Sequence, residues 1–360
     1  MKFKRIMLGG VAALSAIALA GCSAPAAESG GTDEAKPYAG QKLVVTTFGG
    51  DWEKAFVEAV VDPFEEETGA TVEMVTLYSA DALAQLTAQK ASPQLDVVHF
   101  SGGQEFVAAS DGLIEAIAPE DLGNYDDLAQ VATAGLERGE GPAIQLAPVG
   151  LVFNTESGAE RPDSWLDVFD EQYSGHLALT DFSNTYGVLS MLRIADAQGN
   201  GIDDAEPTID QLGALVSNGD AIVVPTSPDL QSAFAQRDTW LAPYSMDYAG
   251  TLKDAGLPVE FITPKEGAGA SLITANAVAG RDNLELSKLF IDFELSPKAQ
   301  QVFAEQMRYS PVNVKAEVSG DVAGDVLVGD ELDSLVIYAP GELAPKRQGW
   351  VDAWNNVITN

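Results

Sequence analysis

Apolar and polar positions along this chain fall into two rhythms, one of strands and one of helices. Unbroken apolar and β-branched runs recur at Leu43–Phe48, Thr71–Leu77 and Leu95–Phe100. Runs of this length between turn residues predict strands buried on both faces, as in a parallel sheet. Between the first two, Phe56, Val57, Val60, Val61 and Phe64 share one face of a helix predicted from Trp52 to Glu67. Pro63 is expected to kink or divide that helix, and Gly69 to end it. Ser79 or Asp81 caps a helix reaching Lys90. A further helix runs from Glu105 to Ser110 and stops at the turn Asp111-Gly112. This βαβαβ succession predicts a doubly wound α/β unit. In such units ligands sit beyond the carboxyl ends of the strands, here at Phe48-Gly49-Gly50 and Ser101-Gly102-Gly103.

The second half repeats the alternation with different spacing. Pro148–Asn154 reads as a strand able to cross into a second domain. Ser164 caps a short helix, His176–Thr180 is a strand, and a helix follows from Thr185 to Ala197. Strands are predicted at Ala221–Val224, Trp240–Tyr244 and Val259–Ile262, with a helical piece at Leu230–Ala235. Ser271–Val278 is extended, and Leu284–Leu295 is an amphipathic helix. Ser296-Pro297 supplies an N-cap with proline in the first helical position.

The first 39 residues do not fit either rhythm. Lys2, Lys4 and Arg5 precede an apolar run from Ile6 to Ala20, which ends in Leu19-Ala20-Gly21-Cys22. The run is shorter than the roughly 20 residues of a membrane span. A basic start, a short apolar stretch and small residues before a cut describe a signal peptide, expected over residues 1–21. Leu-Ala-Gly-Cys resembles a bacterial lipobox, which implies lipidation of Cys22. Residues 22–39, rich in Ala, Ser, Gly and Glu, are expected to form a flexible tether. The mature protein is then expected to be extracytoplasmic and anchored to the cell membrane by lipid.

Cys22 is the only cysteine, so neither an intramolecular disulfide nor a thiolate metal cluster is available. With 54 acidic and 20 basic residues the formal charge is −34, and losing Lys2, Lys4 and Arg5 makes it more negative still. Phosphate backbones would be repelled, which argues against nucleic acid as a partner. The acids are scattered, as in adaptation to salt or alkali, although such a surface also attracts cations. There is no Gly-x-Ser-x-Gly elbow, no phosphate-binding glycine loop and no histidine in a catalytic motif. Neither an enzyme nor a cofactor is expected, and a monomer is.

Four stretches carry a resemblance. They are Leu43 to Val75 (LVVTTFGGDWEKAFVEAVVDPFEEETGATVEMV), Pro148 to Asn154 (PVGLVFN), Leu257 to Gly267 (LPVEFITPKEG) and Tyr309 to Asn313 (YSPVN). In this order they resemble the polyamine-type extracellular solute-binding proteins of ABC importers. The resemblance implies a two-lobe type II periplasmic-binding-protein fold, each lobe a mostly parallel sheet flanked by helices. Lobe 1 would comprise residues 40–146 and 270–312, and lobe 2 residues 147–269 and 313–360. A small polar organic solute would be trapped between the lobes and passed to a membrane permease. Alternatives are a ferric-ion or polyamine-specific binder of the same fold, or a lipoprotein that senses or scaffolds without transport.

Nine residues are candidates for ligand contact. The resemblance implies a stacking aromatic at Phe48, a small hydroxyl at Ser101, and an aromatic and a polar contact at Tyr244 and Asp247. Asp181, Ser183 and Asn184 stand between a strand and a helix, where they either face a ligand or only cap the helix. Tyr186 lies one turn further and faces either cleft or core. Ser271 follows the turn Pro264-Lys265-Glu266-Gly267 at a crossing between lobes. No metal ligands are assigned, and there is no Tyr-Tyr pair of the kind ferric binders often use. Where polyamine binders carry acids and a tryptophan, this chain has Phe182, Thr185, Ser271 and Ile273. The usual charge set for a diammonium solute is therefore incomplete.

Overall fold

The computed structural model describes residues 36–359, so the signal segment, Cys22 and the tether up to Ala35 lie outside the described residues. Lys36–Asn360 forms one compact unit by itself. Its strands are β1 (Lys42–Thr47), β2 (Thr71–Thr76), β3 (Val97–Phe100), β4 (Ala143–Asn154), β5 (Leu177–Thr180), β6 (Ala221–Val224), β7 (Leu241–Ser245), β8 (Val259–Ile262), β9 (Gly269–Ala277) and β10 (Ser310–Pro311). The hydrogen-bonded order is β2-β1-β3-β9-β4-β7-β5-β6, with β8 and β10 also pairing with β4.

The two ends of this ladder are parallel: β1 pairs with β2 and β3, and β5 with β6 and β7. The middle is antiparallel, through β3–β9, β4–β9 and β4–β7. The reason lies in β4 and β9, which run between the two halves in opposite directions and join two parallel sheets into one ladder. All twelve residues of β4 are buried, which matches its almost continuous apolar sequence. Its first half pairs with β9 and β10, and its second half with β7 and β8.

Helices cover the sheet on both halves. They are α1 (Gly50–Phe56), α2 (Asp62–Thr68), α3 (Ser79–Ala88), α4 (Gln104–Ser110), α5 (Gln130–Thr133), α6 (Thr185–Gln198), α7 (Glu206–Asn218), α8 (Ser227–Ala235), α9 (Met246–Asp254), α10 (Leu284–Glu294), α11 (Pro297–Met307) and α12 (Pro340–Thr359). The helix expected from Trp52 to Glu67 is divided as Pro63 foretold. A π turn over Val57–Val61 separates α1 from α2. Pro63 has no N–H to give the carbonyl four residues back, and the widened turn lies just ahead of it. Gly69 closes α2 in the left-handed conformation at φ 76°.

Two large apolar cores result. One gathers Leu43, Val45, Phe56, Phe64, Val97 and Phe290, and the other gathers Val149, Leu151, Trp165, Leu192 and Trp354. His99, one of the two histidines, is buried in the first core. Its Nδ1 lies 2.6 Å from the Thr46 carbonyl oxygen and its Nε2 3.1 Å from Glu294 Oε2. The C-terminal stretch touches both halves. Leu327, Leu332 and Leu335 pack on the first core, and Val336 then bridges to Gly269. Beyond it α12 packs on α7 and buries Trp350 and Trp354 in the second core. Residues 313–335 thus touch both halves, Leu327, Leu332 and Leu335 on the first core and Asp325 on Lys253 of α9.

Candidate functional site

A cavity opens where the two halves and the crossing strand meet. Gly102, Gly103 and Glu105 line it from the first half, at the end of β3 and the start of α4. Ser271 and Leu272 of β9 contribute the crossing strand. Thr185, Val188 and Leu189 of α6 come from the second half, and Leu343 and Arg347 from α12. Small concave sites of this kind, with a few convergent polar groups on an apolar wall, are the usual form of solute pockets.

The start of α6 is fixed by the residues that precede it. Asp181 Oδ1 accepts from the Ser183 N–H at 2.9 Å and from its hydroxyl at 2.5 Å. Asp181 Oδ2 accepts from Trp354 Nε1 at 3.1 Å. Burial acts to raise the Asp181 pKa, but the hydrogen bonds from Ser183 and Trp354 outweigh it and hold the group below its ordinary value. Asn184 Oδ1 accepts from the Tyr186 N–H at 2.9 Å, as an N-cap does. Asp181, Ser183 and Asn184 therefore spend these bonds on shaping the turn that carries Thr185 into the cavity wall. Gly187 is needed there, since a Cβ would meet the Asp181 carbonyl oxygen at 2.4 Å.

Tyr186, Tyr244 and Asp247 form a second group beside this turn. Tyr186 meets Tyr244 edge-on at 5.1 Å. Tyr244 is 1% exposed, and its hydroxyl lies 2.6 Å from Ser227 Oγ. Asp247 is half-buried, yet its Oδ1 is shut off from solvent and has no hydrogen-bond partner. Ser245 Oγ is enclosed and unpartnered in the same way. Burial pushes the Asp247 carboxyl up to about 6, and it adds to the burial that raises Tyr186 and Tyr309.

Of the nine candidates, Ser271 alone lines the cavity described above. Phe48 stands in the first half, half-buried and edge-on to Trp52 at 5.1 Å. Ser101 donates its N–H to Ser79 Oγ at 3.0 Å, next to Gly102. The positions read as uncharged replacements of a polyamine set are indeed apolar or neutral in place. Phe182 is stacked on Trp354 at 4.4 Å, Ile273 is 6% exposed, and Thr185 and Ser271 line the cavity.

Two charged residues of the cavity were not among the candidates. Glu105 is 3% exposed and its Oε2 has no hydrogen-bond partner. Burial pushes its carboxyl up to about 7, with Glu140 adding to the rise. Arg347 is the one arginine among the described residues with no carboxylate in ion-pair range. Its nearest acceptors are the Ser183 carbonyl and Thr185 Oγ1, both at 3.5 Å. Burial lowers its pKa. In a chain with 54 acids, a half-buried arginine without a counter-ion stands out only once the fold is known.

Two α/β halves joined by crossing strands, with a cavity of a few polar groups on an apolar wall between them, define the class of two-lobe solute-binding proteins. The chain belongs to the bacterial extracellular solute-binding protein family, whose model matches residues 59–329. It is 25% identical over 343 residues to the gamma-aminobutyric acid-binding protein of Pseudomonas aeruginosa, covering 87% of each chain. It is 22% identical to the spermidine/putrescine-binding periplasmic protein of Escherichia coli over 79% of this chain and 83% of that one. An ABC transporter crystal structure from Clostridium perfringens superposes with a TM-score of 0.79 at 24% identity, covering 88% of this chain and 99% of that one.

Proposed function

We propose that the chain is the lipid-anchored capture subunit of an ABC importer, which closes two lobes on a small polar organic solute and hands it to a membrane permease. The observation that carries this reading is the cavity, whose wall is assembled from both halves and the crossing strand. A solute that contacts both halves favours the closed form by its differential affinity for it. The lobes are residues 40–146 with 270–312, and 147–269 with 313–360, where Leu327, Leu332 and Leu335 reach back to the first core. Ser271 and the α6 turn set by Asp181, Ser183 and Asn184 support the wall. Tyr186, Asp247 and Tyr244 form the polar and aromatic flank, with Phe48 and Ser101 on the opposite lobe.

Cys22 carries the lipid and keeps the capture unit near its permease, which raises the local concentration of loaded protein. Changing Cys22 to Ala should move the protein from the membrane fraction to the soluble fraction, read by detergent-phase partition. Equal partition of variant and wild type would remove the anchor from this account.

The test of solute capture is a thermal-shift panel on the Lys36–Asn360 body. It should contain amino acids, polyamines, carboxylates, phosphorylated sugars, neutral sugars and ferric salts. A ligand bound only by the folded state raises the melting temperature by mass action. One chemical class should do so. A flat response from folded protein across the panel would transfer the weight to a sensor or scaffold lipoprotein.

A further inference from the structure

The cavity holds two ionisable groups of opposite sign, neither of them in an ion pair among the described residues. Arg347 enters from α12, on the second half. It has two long contacts to neutral oxygens at 3.5 Å and no carboxylate in ion-pair range. Glu105 enters from α4, on the first half. It is 3% exposed, and its Oε2 is enclosed without a hydrogen-bond donor. The cation near it, Arg138, is already engaged by Glu140 through two hydrogen bonds of 2.9 and 2.6 Å. Leaving a buried carboxylate oxygen or a desolvated guanidinium unmatched is costly, so each is an unfilled valence of the site. Their separation onto different halves means that one solute with both complementary charges would bridge the cleft.

We infer that the solute is a small zwitterion, its carboxylate held by Arg347 and its ammonium by Glu105. The inference rests on the solute-capture reading above and names the substrate class of that site. A planar guanidinium takes a carboxylate through two parallel N–H···O bonds, and Thr185 with the first turn of α6 lies beside it to share the negative charge. A diammonium solute would set one of its charges against Arg347. A phosphorylated solute would satisfy Arg347 but meet the Glu105 carboxylate.

A proton is linked to this binding. Glu105 faces Glu140, which disfavours its ionisation, and Arg138, which favours it. Its carboxyl, raised to about 7 by burial, is partly protonated near neutrality. An ammonium placed against Oε2 stabilises the ionised form, so binding releases protons and tightens as pH rises from 6 to 8.

The test uses the Lys36–Asn360 body in a thermal-shift series. The probes are ω-amino acids of two to six carbons, with the monocarboxylates, monoamines and diamines of equal length, inorganic phosphate and a neutral sugar. A zwitterion should raise the melting temperature at concentrations where its single-charge analogues, diamine and phosphate do not. Arg347→Gln and Glu105→Gln should each weaken it roughly tenfold to a hundredfold. Arg347→Lys, which keeps the charge but loses the bidentate fork, should fall between wild type and Arg347→Gln. Far-ultraviolet circular dichroism of each variant separates lost binding from lost fold.

The inference is overturned if diamines or simple carboxylates shift wild type as much as zwitterions do. It is also overturned if Arg347→Gln and Glu105→Gln keep wild-type affinity, or if Asp247→Asn alone abolishes binding and Glu105→Gln does not. A response to the sugar with none to any zwitterion overturns the substrate class and leaves solute capture standing. No response to any probe removes both.

Discussion

Glu105 is a carboxyl whose ionisation the fold opposes until something compensates it. Its pKa rises from 4.5 to about 7, first by burial and then by Glu140. The folded state therefore holds a proton that the unfolded chain has released. Stability from this group is full below about pH 4.5 and is lost as pH rises through 7. At 1.36 kcal/mol per unit, the loss amounts to about 3 kcal/mol. Glu105→Gln should thus raise the melting temperature of the unliganded body at pH 8 and leave it nearly unchanged at pH 4. Thermal melts across that range check this, and a variant less stable than wild type at pH 8 would contradict it. Asp247, pushed up to about 6 by burial, bends the wild-type profile in the same direction.

The same scale shows what the sequence could and could not reveal about the site. Strand ends and helix starts were legible, because Gly-Gly after a buried run and Asn184 before a helix are local signals. They pointed to the turn before α6, which carries Thr185 to the cavity, while Ser271, which lines the same cavity, was read from its place after the turn Pro264–Gly267. Glu105 looked like an ordinary first-turn acid, since nothing local tells that its side chain is shut in under another segment. Arg347 was hidden because α12, which places it, was not recognised.

At the scale of elements, α12 explains its own concealment. Its sequence has Pro340, Gly341, Pro345 and Gly349, residues that ordinarily break helices, and Pro345 lies inside it. Tertiary packing overrides that weak propensity through two buried tryptophans, Trp350 at 3% and Trp354 at 0% exposure. Trp354 stacks on Phe182 at 4.4 Å and donates to Asp181, so the helix and the site turn hold one another. Trp354→Ala should cost about 3–5 kcal/mol, as large buried aromatics do. It should also loosen the turn that carries Thr185 and weaken solute binding; denaturant melts and titration read the two effects separately. Gly187→Ala forces a Cβ to within 2.4 Å of the Asp181 carbonyl oxygen, and should cost about 1–3 kcal/mol. A neutral result in a denaturant melt would show that the turn yields easily and does not hold the wall.

The molecule as a whole was the most legible level. A βαβαβ rhythm and a strand able to cross led to an α/β unit and a second domain, because buried parallel strands are written as apolar runs, and the family resemblance supplied the two lobes. What the runs did not contain was the pairing of β4 with β9, which depends on residues more than a hundred positions apart. Nor did they show that 313–335 returns to the first core. Ion pairs join the halves near that return: Lys253 and Arg308 both reach Asp325, at 2.5 and 3.2 Å, and Arg308 also reaches Asp254 at 2.8 Å. These pairs tie α9 to the end of α11 and weaken with salt where they are exposed.

All of these features serve one claim, that a single small solute occupies the cavity between the halves. Native mass spectrometry of the Lys36–Asn360 body, incubated with a mixture of the solute classes above, measures this most directly. The account predicts one added solute per chain, with the mass of a zwitterion, and its loss in Arg347→Gln while the variant stays folded. An empty wild-type protein, or the same adduct retained by Arg347→Gln, would contradict it.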